Sequence, residues 1–216
     1  MVQLYIANKN YSSWSMRPWV ALTAAGMVFD TQMVVLDTPE FTAKVGKMTP
    51  AGKVPVLQDG DLTVWDTLAI IEYAYESHPA IWPADKARRA RARSLCAQMH
   101  SGFTHLRNDM SMIVDAHLPG KGHTAGALAD AAAIQALWTN ELTAHGGPFL
   151  FGAWCAADAY FAPVVMRFST YAVPVSPAVQ AYMDAVKAHP AVVQWVNRAK
   201  AERIYVPKDE PYRSRE

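Results

Sequence analysis

Two short β-rich runs, Val54-Pro55-Val56-Leu57 and Leu62-Thr63-Val64-Trp65, flank Gln58-Asp59-Gly60-Asp61. An Asp-Gly pair between such runs is a strong hairpin signal, because the tight turn needs positive φ and glycine adopts it without a steric cost. One antiparallel strand pair is therefore fixed early. Pro55 lacks a backbone donor, so its run begins at an edge or a turn. We read Lys53 to Leu57 as the ligand-binding edge of a small α/β domain. A cis Val54–Pro55 bond would turn the Val54 peptide groups outward to pair with a short extended peptide. Most X–Pro bonds are trans, however, and the residues alone predict trans.

The surrounding pattern supplies the rest of that domain. Val2 to Ala7 reads as a strand, and Asn8 to Ser15 is polar and turn-like. Met16, Trp19, Val20 and Ala24 recur at helical spacing up to Gly26, a fitting C-cap. Phe29 to Leu36 predicts a second strand, and Asp37 to Glu40 a turn leading into a short helix that ends near Met48. After the hairpin, Thr67 to His78 carries a helical apolar face. The order is β-α-β-α-β-β-α.

Pro79 and Pro83 break any helix through the next segment. Beyond it the pattern is helical. Leu95, Met99, Phe103, Leu106, Met110 and Ile113 predict one continuous buried stripe that ends before Pro119-Gly-Lys-Gly122. Further helices are expected over about 125–145, 156–172, 176–189 and 190–203. The predicted organisation is an α/β domain over 1–78, a linker over 79–86 and an all-α bundle over 87–216.

Bulk properties exclude several functions. Half the chain is hydrophobic (51%), enough for a packed core, and the formal charge of +1 supplies no field for nucleic acid or an anionic membrane. The run Lys86 to Arg93 suits the first turns of a helix, as a solvated or interface-facing stripe without aromatic interleaving. Cys96 and Cys155 form no CxxC or Cys/His cluster, which argues against a disulfide scaffold, a zinc site and a dithiol. No apolar leader or spanning run is visible, so a cytoplasmic setting without membrane partners is expected.

Three constellations carry candidate chemistry. Ser12, Ser13 and Ser15 stand where the first strand meets a helix, whose N-terminal N–H groups favour an anion. One serine serves as N-cap, and another hydroxyl is available to donate to a thiolate. The second constellation is Val54-Pro55. In the third, Asp66-Thr67 opens a helix: either residue serves as an ordinary cap, or Thr67 and the helix start bind a carboxylate while Asp66 meets an ammonium.

The order of these elements resembles the cytosolic glutathione transferases over nearly the whole chain. Ser12-Ser13-Trp14-Ser15 with Arg17 is similar to the zeta and other serine-type bacterial members. Lys53 to Leu57 followed by Asp66 to Ile70 looks like the family's second glutathione segment, and Gly152 to Asp158 like the box that opens its core C-terminal helix. The resemblance implies a thioredoxin-like N-terminal domain with cis Pro55, an all-helical C-terminal domain, glutathione as cosubstrate without a metal, and a twofold homodimer. It implies Ser12 or Ser13 as the group activating the thiol, with the zeta-like alignment favouring Ser12, and Ser15, Lys53, Val54, Pro55, Asp66 and Thr67 in glutathione binding. A small electrophile would sit against His105, Asp109, Met112 and Arg167. The same histidine and carboxylate could instead pair with each other or across a dimer, and Met112 could be core. Three departures stand out: Trp14 replaces the cysteine of zeta members, Asp66 the usual Glu or Gln, and Cys155 a capping hydroxyl. The expected function is glutathione transfer to a small electrophile. The alternatives are a non-catalytic ligand binder of the same fold and a zeta-like glutathione-dependent isomerase.

Overall fold

The computed structural model describes residues 1–213. Its elements run β1 (Gln3–Ile6), α1 (Ser13–Ala24), β2 (Asp30–Met33), α2 (Pro39–Met48), β3 (Val56–Asp59), β4 (Leu62–Trp65) and α3 (Thr67–Tyr75), then α4 (Lys86–Ser101), α5 (Thr104–Asp109), α6 (Ala125–His145), α7 (Ala156–Tyr171), α8 (Pro177–Ala188) and α9 (Pro190–Glu202). The four strands form one sheet in the order β2-β1-β3-β4. β1 pairs parallel with β2 and antiparallel with β3, with Tyr5 opposite Val56. The hairpin register sets Val56 against Trp65 and Asp59 against Leu62, and Gly60 takes φ +57° in the turn. A small mixed sheet with flanking helices, then a helical bundle, is a thioredoxin-like domain joined to an all-α domain.

The two parts share one core. Helix α1 is buried along most of its length because it packs on α3, α7 and α9, while Trp19 donates its indole N–H to Thr31 of β2 (2.9 Å). The Trp19 and Trp195 rings meet at 5.4 Å, Trp195 donates its indole N–H to the Lys9 carbonyl (3.1 Å), and Arg17 Nε donates to the Tyr160 carbonyl (3.0 Å). The basic run also ties the parts together. Arg93 holds Glu72 of α3 in a fork, and Arg91 pairs with Glu141 of α6 at 2.8 Å. Arg91 and Arg93 thus tie α4 to α6 and α3, while Lys86 and Arg88 of the same run are exposed.

The continuous stripe predicted from Leu95 to Ile113 is broken. Its apolar members are buried, Phe103 partly, but the helix stops at Gly102 and Phe103 takes a left-handed conformation (φ 56°). A Cβ on Gly102 would sit 2.9 Å from the Gln98 carbonyl oxygen, which is why the chain can turn there. Apolar spacing alone does not register a break that preserves burial on both sides of it.

Gly122 closes the following loop on α5. It combines φ +67° with a backbone approach in which a Cβ would lie 2.1 Å from the Asp109 carbonyl oxygen. Gly122→Ala is therefore expected to cost about 1–3 kcal/mol through overpacking and strain, seen as a lower urea midpoint. At the start of α7, Cys155 occupies the N-cap position, and Asp158 supplies the reciprocal bond by accepting from the Cys155 N–H (2.9 Å). A serine hydroxyl caps better than a thiol, so Cys155→Ser is expected to gain about 1 kcal/mol and raise Tm by about 2–4 °C.

Candidate active site

The site is built where α1 starts. Ser12 is the N-cap: its Oγ accepts from the Ser15 N–H (3.3 Å) and donates to Ser15 Oγ (2.8 Å). Ser15 Oγ also accepts from the Ala7 N–H (3.1 Å), and its side chain is fully buried. The Ser12 proton is thus spent inside the chain. Ser13 differs. Its Oγ accepts from Arg167 Nη2 at 3.3 Å, which leaves its own proton to offer elsewhere.

Arg167 is a buried cation. Burial, then the neighbouring Arg17 charge, lowers its pKa to about 9, so it stays charged at neutral pH. Its Nε donates to the Met110 carbonyl (2.8 Å), and Nη1 has no protein partner. Arg17 is fully buried too, its pKa lowered to about 10 by burial. The indole of Trp14 is close to two guanidiniums, with Arg17 4.5 Å and Arg107 5.4 Å from its ring centre. These charges converge on the first turn of α1, where the helix already presents unmatched N–H groups.

Two clefts adjoin this point and share Trp14, Lys53 and Val54. The larger, of about 630 Å³, includes Ser12, Ser13, Met112, Arg107 and Arg167 in its walls. The smaller, of about 210 Å³, is lined by Lys53, Val54, Pro55, Asp66, Thr67 and His100 among others. The Val54–Pro55 bond is cis, contrary to the expectation from the residues alone and as the resemblance implied. Asp66 caps α3 through Oδ1, which accepts from the Leu68 N–H (2.9 Å), and Thr67 donates its hydroxyl to the Trp14 carbonyl (3.0 Å). That bond locks the start of α3 to the start of α1. The Thr67 N–H sits at a first helical position, where the helix supplies no acceptor.

Three predicted residues lie elsewhere. Ser15 is sealed beneath the N-cap and lines neither cleft. His105 packs its ring on Gly126 of α6, and Asp109 accepts from Thr124, the N-cap of that helix, at 2.5 Å. Both therefore hold α5 against α6. The cause is the break at Gly102, which re-registers the face that the assumed long helix would have turned to the cleft. Arg107, Asn108 and Ser111 line the cleft in their place. Gly102 was the available signal. The remaining wall residues, Tyr11, Leu36, Phe41 and Asp209, come together only through tertiary packing. The C-terminal segment arrives there because Tyr11 donates to Glu210 (2.6 Å) and Arg213 pairs with Asp115 (2.8 Å) and with Glu210.

Among the described residues no cluster of three or more His, Cys, Asp or Glu is arranged to hold a metal ion, and no helix is long and apolar enough to cross a membrane. Both cysteines are buried, and burial pushes both thiols well up. A cis-proline turn and a serine-bearing helix start in a thioredoxin-like domain, facing a helical domain across a cleft, define the glutathione transferase architecture.

Comparison with known proteins agrees. The glutathione S-transferase N-terminal domain family matches residues 11–77. A probable maleylacetoacetate isomerase of Caenorhabditis elegans is 28% identical over 180 residues, 81% of this chain and 82% of its own. A zeta-class glutathione S-transferase of Euphorbia esula is 37% identical over 82 residues, 37% of this chain and 36% of its own. Among solved structures, a glutathione transferase homologue from Burkholderia GL BGR1 with bound glutathione superposes with a TM-score of 0.71 at 27% identity, covering 93% of this chain and 98% of that one. Residues 11–77 thus belong to the glutathione S-transferase N-terminal domain family, and the chain as a whole is similar to cytosolic glutathione transferases, zeta-class members among them.

Proposed function

We propose that the protein is a glutathione transferase in which the Ser13 hydroxyl donates to the glutathione sulfur and holds it as thiolate. The observation that carries this is the contrast between the two serines: Ser12 is committed to the cap, while Ser13 is polarised by Arg167 and keeps its proton. A free thiol has a pKa of about 8.5 and is only a few per cent ionised at neutral pH. One hydrogen bond to the charged sulfur, worth about 1.5–3 kcal/mol, lowers that pKa by about 1–2 units. The helix start adds a smaller contribution of the same sign.

The tripeptide is accommodated along the smaller cleft. Its extended backbone meets the Val54 peptide beside cis Pro55, its γ-glutamyl carboxylate the Thr67 N–H and the start of α3, its ammonium Asp66, and Lys53 flanks it. The electrophile enters the larger cleft against Met112 and Arg167. No covalent enzyme intermediate is needed: the thiol proton passes to solvent, the thiolate forms the C–S bond, and either the leaving group departs with the electron pair of its broken bond or, on an unsaturated substrate, the resulting carbanion takes a proton from solvent. The homodimer usual in the family is part of this proposal, and light scattering at twice the chain mass tests it.

A second reading, glutathione-dependent isomerisation in the manner of the zeta-like relatives, draws on one observation. Arg167 Nη1 is buried without a protein partner in the wall of the larger cleft, and Arg107 stands near it. Two cations suit a substrate that bears a carboxylate. Calorimetric titration with glutathione, followed by turnover of chlorodinitrobenzene, tests the leading reading. Heat of binding with thioether formation is expected; binding of neither glutathione nor its S-alkyl derivatives would sink it. Preferred turnover of a carboxylate-bearing unsaturated substrate without net consumption of glutathione would favour isomerisation.

A further inference from the structure

His100 stands in the last turn of α4, in the helical domain, yet it forms part of the smaller cleft. Its Nδ1 lies 2.8 Å from the Tyr160 hydroxyl oxygen, and its Nε2 lies 3.5 Å from Asp66 Oδ2. The ring leans on Trp14 with centroids 5.0 Å apart. Tyr160 is fully buried, and burial pushes its phenol up, so it keeps its proton and needs an acceptor. With Nδ1 accepting from that hydroxyl, the His100 ring carries its proton on Nε2, which faces Asp66 Oδ2 at an ion-pair distance of 3.5 Å. Asp66 has one oxygen fixed by the Leu68 N–H, while half of its side chain faces solvent. A short, half-exposed carboxylate needs a second partner to hold one rotamer.

We propose that His100 is a positioning residue for the amino end of glutathione: through Tyr160 and its own Nε2–H it holds the Asp66 carboxylate ready for the γ-glutamyl ammonium. The inference rests on the glutathione reading given above. The positioning crosses the domain boundary, since Tyr160 is on α7, His100 on α4 and Asp66 at the start of α3. It compensates for Asp66 being one methylene shorter than the residue usual in the family. The Trp14 ring, tilted 58° to the imidazole, limits its rotation.

The test is calorimetry on the full chain with glutathione and with cysteinylglycine, which lacks the γ-glutamyl group. His100→Ala is expected to weaken glutathione about three- to tenfold, to leave the dipeptide unchanged, and to act on KM for glutathione and not on kcat. His100→Gln, which keeps a donor, recovers most of the loss. In an Asp66→Asn background His100→Ala adds nothing further. Tyr160→Phe, which leaves the imidazole in place but frees its tautomer, weakens glutathione in the same direction and serves if His100→Ala folds poorly. Equal losses for both ligands, additivity with Asp66→Asn, or unchanged glutathione affinity in His100→Ala and Tyr160→Phe would each overturn the inference while the glutathione reading stands. Absence of glutathione binding by the unaltered protein would overturn both.

Discussion

Asp158→Ala is expected to lower stability by about 2–5 kcal/mol, a large share of the 5–15 kcal/mol typical of a folded chain. The carboxylate is fully buried and accepts two backbone N–H groups, from Leu150 (3.0 Å) and Cys155 (2.9 Å). Alanine leaves both donors buried without an acceptor, at about 1–3 kcal/mol each. Leu150 belongs to the bridge segment before α7, and α7 packs on α1, so the loss reaches the helix that carries the serines. Burial holds the Asp158 carboxyl up at about 6, against the lowering effect of its two N–H partners. A folded-state pKa above the ordinary 3.8 means that the folded protein binds the proton more tightly. Its contribution is therefore fully present below about pH 4 and is lost as pH rises to about 6, by up to about 3 kcal/mol. Asp158→Asn removes that slope, because the amide does not titrate, while keeping one acceptor. Urea unfolding at pH 4.5 and pH 7 checks the sign. The advantage of the unaltered protein over Asp158→Asn should shrink as pH rises; an advantage that grows contradicts a raised pKa.

The fold was legible in the sequence wherever one pattern had one consequence. Apolar spacing marked α6 to α9 within a residue or two, because each buries a single stripe against its neighbours. Asp59-Gly60 marked the hairpin because the turn leaves few alternatives. The Gly102–Phe103 break was hidden by its own success: the residues on both sides are buried, so the stripe reads as continuous across a chain that has turned. His105 and Asp109 were misplaced as a direct result. The isomer of Val54–Pro55 was not legible from the residues, since local chemistry favours trans and the surrounding turn decides otherwise. Ser12, Ser13, Lys53, Val54, Pro55, Asp66 and Thr67, expected from the sequence, line the two clefts because strand-turn-helix junctions bring such groups together locally. Arg107 and His100 line them as well without having been expected, because that depends on which face α4 and α5 turn toward Trp14. The different bonding of Ser12 and Ser13 depends on Arg167, 154 positions along the chain from Ser13.

Ser13→Ala should therefore separate the two serines. Loss of one hydrogen bond to the thiolate raises the pKa of bound glutathione by about 1–2 units, and turnover at neutral pH falls roughly 10–100-fold. Ultraviolet absorbance of the thiolate, followed against pH in the binary complex, measures the shift without reference to any particular electrophile. The rate does not fall to the uncatalysed level, since the helix start still contributes about 0.3–1 kcal/mol. Ser12→Ala should behave differently. It removes the cap of α1, costs about 0.5–2 kcal/mol of stability and leaves the thiol pKa near that of the unaltered protein. Arg167→Met should move the thiol pKa in the same direction as Ser13→Ala, because the guanidinium that polarises the hydroxyl is gone and one cation beside the sulfur is lost with it. Combined with Ser13→Ala it should add less than it does alone, as two groups acting through one hydrogen bond must. A thiol pKa that moves in Ser12→Ala and stays fixed in Ser13→Ala would transfer the donor role to Ser12. Its present bond to Ser15 would then have to open when glutathione arrives. The geometry argues against this: that bond is 2.8 Å long and buried, and the Ser15 oxygen is anchored by the Ala7 N–H at the end of β1.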